Sequence, residues 1–539
     1  MRNFARITST LLATALCTSA AFATTYSQKT YLATRPAGVN LAMEYTTWSQ
    51  HPYFSNKGRE HKVHSHLQAT GFYQKSTNGN ELGKYFGIGN GKNSFQIGDQ
   101  TAIEAKTADI DGRFLIHRNS TGDNLINIGA NNGHKLAGLV SFSPKQELWG
   151  VRFDYFQDIY RGLFLKANLP VVNVNNDMRL RVCNSVPQTV DDANVDTTTF
   201  SIQNFFAGNV NVSDISPDTA SNLQGPLTKA KICGKRSATG VADIDVALGY
   251  KVWDSEKSHV YLNLGVTIPT GRKPSGDYVF EPVYGNGSHV GFGVGLDAGV
   301  EFWHSEKGSS ARLLFAANYR YLFEGHEKRT LGVNACAFPW DVKTPDGLAT
   351  LITPVPPKLL QYYLVAADQQ QNAPLIPAAN ILTQSVNVTP GSQFDGMIDL
   401  NFKGSCGFIG DLGYELFWKE RERVRVRNSG CQVACDGTST AVKYGFAHPA
   451  YDTTTIFNET GGTVAQLPID GKFINDNLST SAAETPSALT NKIFAGLGYG
   501  FEISEEYPTS VGVGGSYEFA STNAAIEAWS VWLKAGISF

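Results

Sequence analysis

The residues most able to do chemistry form a run of alternating basic side chains. Five cations stand at every second position: Lys419, Arg421, Arg423, Arg425 and Arg427. Side chains two residues apart share one face of a strand, and guanidinium groups bind carboxylates and phosphates. The run predicts an anion-attracting pore mouth if it faces inward, or a contact for lipopolysaccharide phosphates if it faces outward. A solvated loop run neutralised by Glu420 and Glu422 is the alternative.

A second set of charged residues recurs on the polar side of alternating segments. Its members would line a lumen and act as pore residues: Asp243, Asp245, Asp297, Glu301, Arg312 and Arg320. Rings of one charge sign set selectivity in pores. The acidic excess on these faces is too small to predict cation selectivity, so scattered pairing across the lumen wall is the favoured interpretation.

Hydrolase motifs are missing from the sequence. No G-x-S-x-G surrounds a serine and no H-E-x-x-H is present, although these motifs supply the nucleophile or the zinc in many hydrolases. We expect a protein that is not an enzyme and that has no cofactor and no metal. The formal net charge of −3 gives no basis for nucleic-acid binding.

Eight segments that would carry these charges alternate with period two. They cover residues 241–253, 259–269, 290–303, 310–323, 397–403, 411–418, 493–503 and 510–519. One face is bulky and apolar, whereas the other is rich in glycine and charge. Glycine cannot fill a soluble core, so this inverted pattern is typical of a barrel with lipid outside and water inside. A secreted antiparallel β-protein with one wet face is the alternative.

The predicted fold is therefore all-β, an antiparallel transmembrane β-barrel with long extracellular loops. We expect about 14 strands, with about 12 to 16 possible, because bacterial barrels have an even number. The predicted strands start near residues 66, 110, 136, 148, 162, 240, 258, 288, 310, 395, 409, 491, 509 and 526. The long loops are expected near 175–239, 270–287, 325–394 and 421–490.

The N-terminus predicts export. Residues 1–23 combine Arg2 and Arg6, an apolar stretch and an Ala-Phe-Ala cleavage site, which is the pattern of a signal peptide. Residues 24–65 are expected to form a periplasmic or lumen-resting segment, and residues 66–539 the barrel. Six cysteines remain after the leader. We predict disulfides between Cys183 and Cys233 and between Cys431 and Cys435, because each pair falls inside one loop.

The chain ends in an alternating strand, IEAWSVWLKAGISF, whose last residue is Phe539. This end resembles the C-terminal strand of Gram-negative outer-membrane β-barrel proteins. In that class the terminal aromatic residue is an insertion signal for the barrel-assembly machinery. The resemblance implies a location in the cell outer membrane, with outer-membrane lipid and lipopolysaccharide as partners and the assembly machinery contacted through Phe539. A homo-oligomer is possible.

The function expected from these features is a porin-like channel for passive diffusion of small hydrophilic solutes. A charged wall around water would lower the free energy of polar solutes crossing hydrocarbon. One alternative is a surface-exposed barrel that acts through its long loops, as an adhesin or in host contact. A less favoured alternative is an outer-membrane hydrolase.

Overall fold

The structure is a computed structural model of the chain. It describes residues 29–47, 64–87, 91–98, 107–112, 115, 137–183, 201–213, 222–255, 257–333, 359–367, 375–427, 444–446, 478–503 and 507–539. The predicted signal peptide and the predicted pair Cys431 and Cys435 lie outside these residues.

Twelve of the described strands form one closed antiparallel barrel. They are β1 Ser65–Ser76, β2 Lys145–Tyr160, β3 Leu163–Asp177, β4 Ile244–Asp254, β5 Ser258–Ile268, β6 Gly291–His304, β7 Ser310–Leu322, β8 Gly391–Lys403, β9 Phe408–Lys419, β10 Ala488–Glu502, β11 Pro508–Ala520 and β12 Ala528–Ser538. Neighbours in sequence pair in order, and β1 closes the barrel by pairing with β12. The backbone amides of Ser65 and Phe539 exchange hydrogen bonds at this seam. The predicted all-β barrel is confirmed, with twelve strands.

Short turns occupy one end of the barrel and long connections the other. The turn between β2 and β3 holds Arg161 and Gly162, both at positive φ, as the tight hairpin turns that match strand twist require. In two other turns of this end, Trp253 and Trp303 follow a bulge in their strands and are exposed. Short turns and boundary aromatics mark the periplasmic side of an outer-membrane barrel.

The outside of the barrel is apolar, and charged side chains lie on the inside. Leu262, Val294 and Leu533 are 49%, 47% and 67% exposed, whereas Asp297 and Glu415 are 3% and 0% exposed. Hydrocarbon offers no partner for backbone N–H and C=O groups, so a spanning sheet must close on itself. Alternate residues of a closed sheet then face lipid and lumen in turn. The exposed apolar band is therefore the surface that contacts lipid.

The long connections fold into a cap on the extracellular end. Its strands are Ser94–Gly98, Ile110–Asp111, Gly138–Ser141, Arg181–Cys183, Val212–Ser213, Asn222–Gln224, Lys235–Val241, Gly325–Thr330, Gly332–Val333, Leu364–Ala367, Ile376–Pro377, Thr383–Thr389, Arg423–Val426, Tyr444–Phe446 and Leu478–Ser479. Lys235–Val241 also extends β4 along the upper half of β3. The cap has its own core, in which Phe95, Phe205 and Tyr362 are buried.

Helices are few and short in the described residues. They are α1 Leu41–Tyr45, α2 Gly79–Phe86, α3 Ile202–Ala207 and α4 Ala378–Leu382, with 3₁₀ turns at Leu360–Tyr362 and Thr480–Ala482. None of the helices in the described ranges has the length and apolar character needed to cross a membrane.

Two of the strands predicted from the sequence are not barrel strands. Those placed near residues 110 and 136 correspond to Ile110–Asp111 and Gly138–Ser141, which pair with Ser94–Gly98 in the cap. They are too short to span, since a tilted strand needs about 9–11 residues to cross the hydrocarbon. Removing them leaves the twelve strands observed.

We predict that a charge on the lipid-facing side of β5 destabilises the barrel according to depth. Leu264 lies near the middle of β5 and is exposed, so Leu264→Arg should lower the free energy of unfolding by about 2–4 kcal/mol. Urea unfolding in lipid vesicles measures the change.

The matched control for that variant is Ile268→Arg. Ile268 lies on the same face of β5 but at its extracellular end, where the cost falls to about 0–1 kcal/mol. Equal losses in the two variants would contradict the assignment of this face to lipid.

Candidate functional site

The N-terminal segment, residues 29–47, runs from the cap into the barrel lumen. It carries α1, whose first turn is capped by Asn40: the side-chain Oδ1 accepts a hydrogen bond from the Met43 amide at 3.1 Å. Leu41 and Met43 of α1 are buried in a core formed with inward-facing side chains of the barrel, among them Phe156. The lumen is therefore occupied by the chain's own N-terminal segment.

Arg152 on β2 is the first anchor of the segment. Its guanidinium donates to the Asn40 carbonyl at 2.8 Å, to Glu44 Oε2 at 2.8 Å and to Asp154 Oδ1 at 2.6 Å. Lys166 on β3 adds a second cation 3.1 Å from Glu44 Oε1. The Arg152 side chain is almost fully buried, and a buried charge is stable only when it is paired and hydrogen-bonded. The segment supplies that pairing.

Glu415 on β9 is the second anchor. Its carboxylate accepts from the amides of Leu41 and Ala42 at 3.2 and 3.3 Å. These amides belong to the first turn of α1, where N–H groups lack partners within the helix. Lys492 lies 3.2 Å from the same carboxylate, and Arg35 of the segment donates to it. Wall and segment thus neutralise each other at this point.

The lower end of the segment is held through its backbone. The Thr47 amide donates to Asp411 Oδ2 at 2.7 Å, and Lys534 donates to the Thr46 carbonyl at 2.7 Å. A Cβ built on Gly512 would lie 2.4 Å from the Thr47 hydroxyl oxygen, so the close approach requires glycine here. Glycine on this inward face makes room for the segment.

Three of the predicted pore residues lie on the lumen wall in ion pairs. Arg320 contacts Asp245 at 3.3 Å and Asp395 at 3.4 Å. Asp297 lies 3.5 Å from Lys166 and accepts a hydrogen bond from Tyr45 of α1. The structure brings these groups together as pairs of opposite charge across the wall.

The other three predicted pore residues have local partners. Asp243 lies between Lys235–Val241 and β4 and accepts hydrogen bonds from the amides of Gly271 and Asn286 at 2.9 and 2.5 Å. It thereby anchors the loop that follows β5. Glu301 and Arg312 form an ion pair of 2.9 Å near the periplasmic end. The described residues contain no group of three or more His, Cys, Asp and Glu side chains that could hold a metal ion.

The predicted single row of cations at a pore mouth is wrong. Lys419 points inward and donates to the Ala33 carbonyl at 2.6 Å, whereas Arg421, Arg423, Arg425 and Arg427 are exposed. The alternation shifts by one residue between β9 and Arg423–Val426, where residues 420–422 are not in a strand. Because of this shift, the buried side chain beyond Lys419 is that of Glu422, not that of Arg421 or Arg423. The four arginines therefore lie outside the lumen.

The upper end of the segment is anchored in the cap by Arg329. Its guanidinium carbon lies 3.3 Å from the centre of the Tyr31 ring, and it donates to Glu422 Oε2 at 3.2 Å and to Glu327 Oε2 at 2.6 Å. Burial alone would raise the pKa of Glu422, but the charge of Arg329, aided by Lys419, outweighs it and holds that pKa below its usual value. Glu422 is therefore an anion inside the cap.

The predicted disulfide between Cys183 and Cys233 is not formed. Both residues are free cysteines, as is Cys406. Cys183 ends the strand Arg181–Cys183 in the four-stranded sheet of the cap. Cys233 lies just before Lys235–Val241 and accepts a hydrogen bond from Arg236 at 2.6 Å. Shared location in one long loop did not imply spatial proximity.

A cavity of about 100 Å³ remains beside the segment. Its polar lining includes Asn168, Asp245, Thr267 and Arg320. A cavity of this volume with several polar partners has room for a few water molecules. The lumen thus keeps a small polar space next to α1.

Sequence reasoning missed several residues that hold the segment. Asp395 and Lys492 lie on the lumen wall, two and one residues before the alternating segments identified in the sequence. Asp395 is separated by four residues from the inward-facing Asp399, and Lys492 by two residues from the inward-facing Phe494. Extending the alternation of these strands by one or two residues would therefore have found them. Arg35 and Glu44 carried no such signal, because their partners are remote in sequence.

The fold and its site define an outer-membrane β-barrel whose lumen is occupied by its own N-terminal segment. A family model described as "Putative MetA-pathway of phenol degradation" matches residues 169–347, about a third of the chain. No curated protein matches the chain.

Several solved structures of outer-membrane barrels are similar to the chain at low identity. An outer membrane channel from Pseudomonas putida F1 shares 9% identity, with 90% of this chain and 98% of that chain covered and a TM-score of 0.32. The CymD monoaromatic hydrocarbon channel shares 8% identity over 89% and 88%, with a TM-score of 0.24. An anion-selective porin from Comamonas acidovorans shares 8% over 89% and 99%, with a TM-score of 0.20. Similarities of this size say nothing about a solute.

We predict that Glu415→Gln loosens the segment in the lumen. The amide keeps the shape but removes the charge opposite Arg35 and Lys492, and breaking a buried ion pair costs roughly 3–5 kcal/mol. Amide hydrogen exchange of residues 41–47, followed by mass spectrometry in detergent, should become at least tenfold faster.

The control for this variant is Glu306→Gln, in the exposed turn between β6 and β7. It should leave the exchange of residues 41–47 at the wild-type rate. If Glu415→Gln also leaves that rate unchanged, the carboxylate does not anchor the segment.

We predict that the Arg329–Glu422 pair stabilises the protein only above acidic pH. The pKa of Glu422 is lower in the folded state than its usual value, so the stabilisation is complete above that usual value. It is lost as the pH falls through the folded pKa. Wild type should therefore exceed Glu422→Gln in urea midpoint near pH 7, and the difference between the two midpoints should shrink as the pH falls below the usual pKa of a glutamate. Parallel curves over this range would contradict the assigned charge.

Proposed function

We propose that the protein is a gated outer-membrane channel, in which the N-terminal segment is the gate and small hydrophilic solutes diffuse passively once it leaves the lumen. The observation that carries the proposal is the way the segment is held. Its anchors Arg152, Glu415 and Asp411 are charged groups of the wall. Charged groups can exchange a protein partner for water, which offsets part of the cost of uncovering Leu41 and Met43.

The wall that remains after displacement is suited to polar solutes. Asp245, Asp297, Arg320 and Asp395 line the lumen and carry both signs of charge. Such a wall replaces part of the hydration shell of a polar solute and lowers the free energy of passage. Mixed signs favour general permeation over strong ion selectivity.

The solute class can be narrowed by experiment. The description of the family model that matches residues 169–347 names phenol degradation, and phenol is a small solute with one polar group. Uptake by proteoliposomes should therefore be compared for phenol and for a small sugar. The charged wall leads us to expect entry of the sugar as well.

A reversible lock on the segment tests the proposal. A Cβ built on Gly496 would lie 3.2 Å from the Thr46 Cβ, close to the usual Cβ–Cβ distance of about 3.5–4.5 Å in disulfides. Thr46→Cys combined with Gly496→Cys should therefore link the segment to β10. In planar bilayers the oxidised variant should show no stepwise openings, and a reductant should restore wild-type openings in the same channels.

The two single-cysteine variants are the controls, and both should behave as wild type with and without reductant. If the oxidised double variant conducts like wild type, the segment is not the gate. If wild type never opens, the protein is not a channel. The observation of a cap with its own core would then favour the second candidate, a surface barrel that acts through its loops.

A further inference from the structure

A small sheet in the cap continues the barrel wall beyond the membrane. It consists of Gly325–Thr330, Thr383–Thr389 and Arg423–Val426. Its pair Gly325–Val388 lies three residues beyond the pair Leu322–Gly391 of β7 and β8. We call it the upper sheet. One face points towards the N-terminal segment, since Arg329 on that face is stacked on Tyr31, and the opposite face points outwards.

The inner face of the upper sheet is buried, and it carries the ion pair of Glu327 and Arg329 beside apolar residues. Val386, Val388 and Val424 are packed with Leu331 and Ala483 in a separate core. Side chains of the opposite face point away from this core, because successive strand residues alternate. That outer face is exposed at His326, Lys328, Ser385, Arg423 and Arg425.

Two cations on the outer face have no partner among the residues that the structure describes. Arg423 is bound to Glu420 at 2.9 Å, and the adjacent Arg421 is bound to Glu484 at 2.5 Å. The side chains of Lys328 and Arg425, by contrast, form no ion pair or hydrogen bond with the part of the chain that the structure describes. The carboxylate of Glu324 accepts hydrogen bonds from Asn387 and Thr389 of the central strand.

Lys328 and Arg425 flank the central strand. Arg425 pairs in register with Asn387, and Lys328 pairs with Ser385. Two strand spacings of about 4.8 Å and an offset of two residues separate their backbones by about 12 Å. Long flexible side chains at that separation can converge on one phosphate or bind two neighbouring phosphates.

The position of Lys328 and Arg425 relative to the membrane indicates which anion they contact. Tyr319, Phe394 and Trp418 form one cross-strand row on the outer side of β7, β8 and β9. Aromatic rows mark the interface between hydrocarbon and headgroups. Asn387, the partner of Arg425, lies seven residues further along the strand, or about 23 Å of strand. The cations therefore lie above the hydrocarbon, beside the sugars and phosphates of the outer leaflet.

We propose that the outer face of the upper sheet binds the phosphate groups of lipopolysaccharide through Lys328 and Arg425. Charge complementarity supports this occupant, since the face is cationic and lies beside an anionic lipid layer. Basic residues next to an anionic membrane surface strengthen binding to that surface. The site is distinct from the lumen and is independent of whether the barrel conducts.

The test uses the full chain in detergent, with rough lipopolysaccharide that carries a phosphorylated inner core. Lys328→Gln combined with Arg425→Gln should raise the dissociation constant about tenfold or more. Phosphatase-treated lipopolysaccharide should bind weakly, and it should bind wild type and the double variant with the same dissociation constant. Heat-modifiable migration on gels shows that each variant has folded.

The matched control removes two exposed cations from periplasmic turns, by Lys257→Gln combined with Lys307→Gln. It should bind lipopolysaccharide as wild type does. An equal loss in this control would reduce the effect to net charge and overturn the proposal. Binding of inorganic phosphate alone as tightly as lipopolysaccharide would also overturn it, because the lipid would then add nothing to the free anion. Unchanged binding by the double variant would have the same consequence.

Discussion

The constraint on which the rest of the structure depends is that hydrocarbon cannot hydrogen-bond the backbone. A sheet that spans it must close, and β1 does so by pairing with β12 over its whole length. Closure then fixes which residues meet lipid and which meet the lumen. Leu262 and Val294 are exposed for this reason, and Asp297 and Glu415 are enclosed. The alternation is thus a consequence of the solvent on each side.

Closure also encloses charged side chains in the lumen, and the N-terminal segment supplies polar partners for them. Charged residues inside a narrow barrel are stable only with water or with partners. The segment offers carbonyls to Arg152 and Lys534 and amides to Glu415 and Asp411. Each contact replaces water by a polar group of the chain itself. The same charged groups of the wall can therefore be hydrated by water in an open lumen or hydrogen-bonded by the segment in a filled one.

Sequence alone predicted the barrel well, because lipid imposes a long and regular pattern. The strands from β4 to β12 were located by alternation, and twelve strands lie within the expected range. The pattern failed where lipid no longer selects residues. In the cap, short alternating stretches near residues 110 and 136 belong to another sheet.

The candidate site was predictable only in part. Asp245, Asp297 and Arg320 were assigned to the lumen from parity alone, and the structure places them there. The same rule failed for the arginine run, because the strand is interrupted at residues 420–422 and the alternation of faces does not continue through them. Contacts of the N-terminal segment join residues several hundred positions apart, such as Arg35 and Glu415. Local pattern contains no information about such pairs.

The N-terminal segment links the lumen to the cap, so the two regions cannot act independently. Tyr31 is stacked under Arg329 in the cap, and the Ala33 amide donates to Thr485 at 3.0 Å, whereas residues 40–47 are held by the barrel wall. Withdrawal of α1 from the lumen therefore pulls on a chain that is fixed above it. In the proposed gate, opening either separates Tyr31 from Arg329 or bends the chain between Ala33 and Asn40. The pairs of Arg329 with Glu327 and Glu422 lie within the cap, so neither route breaks them, and the cap can remain folded while the lumen opens.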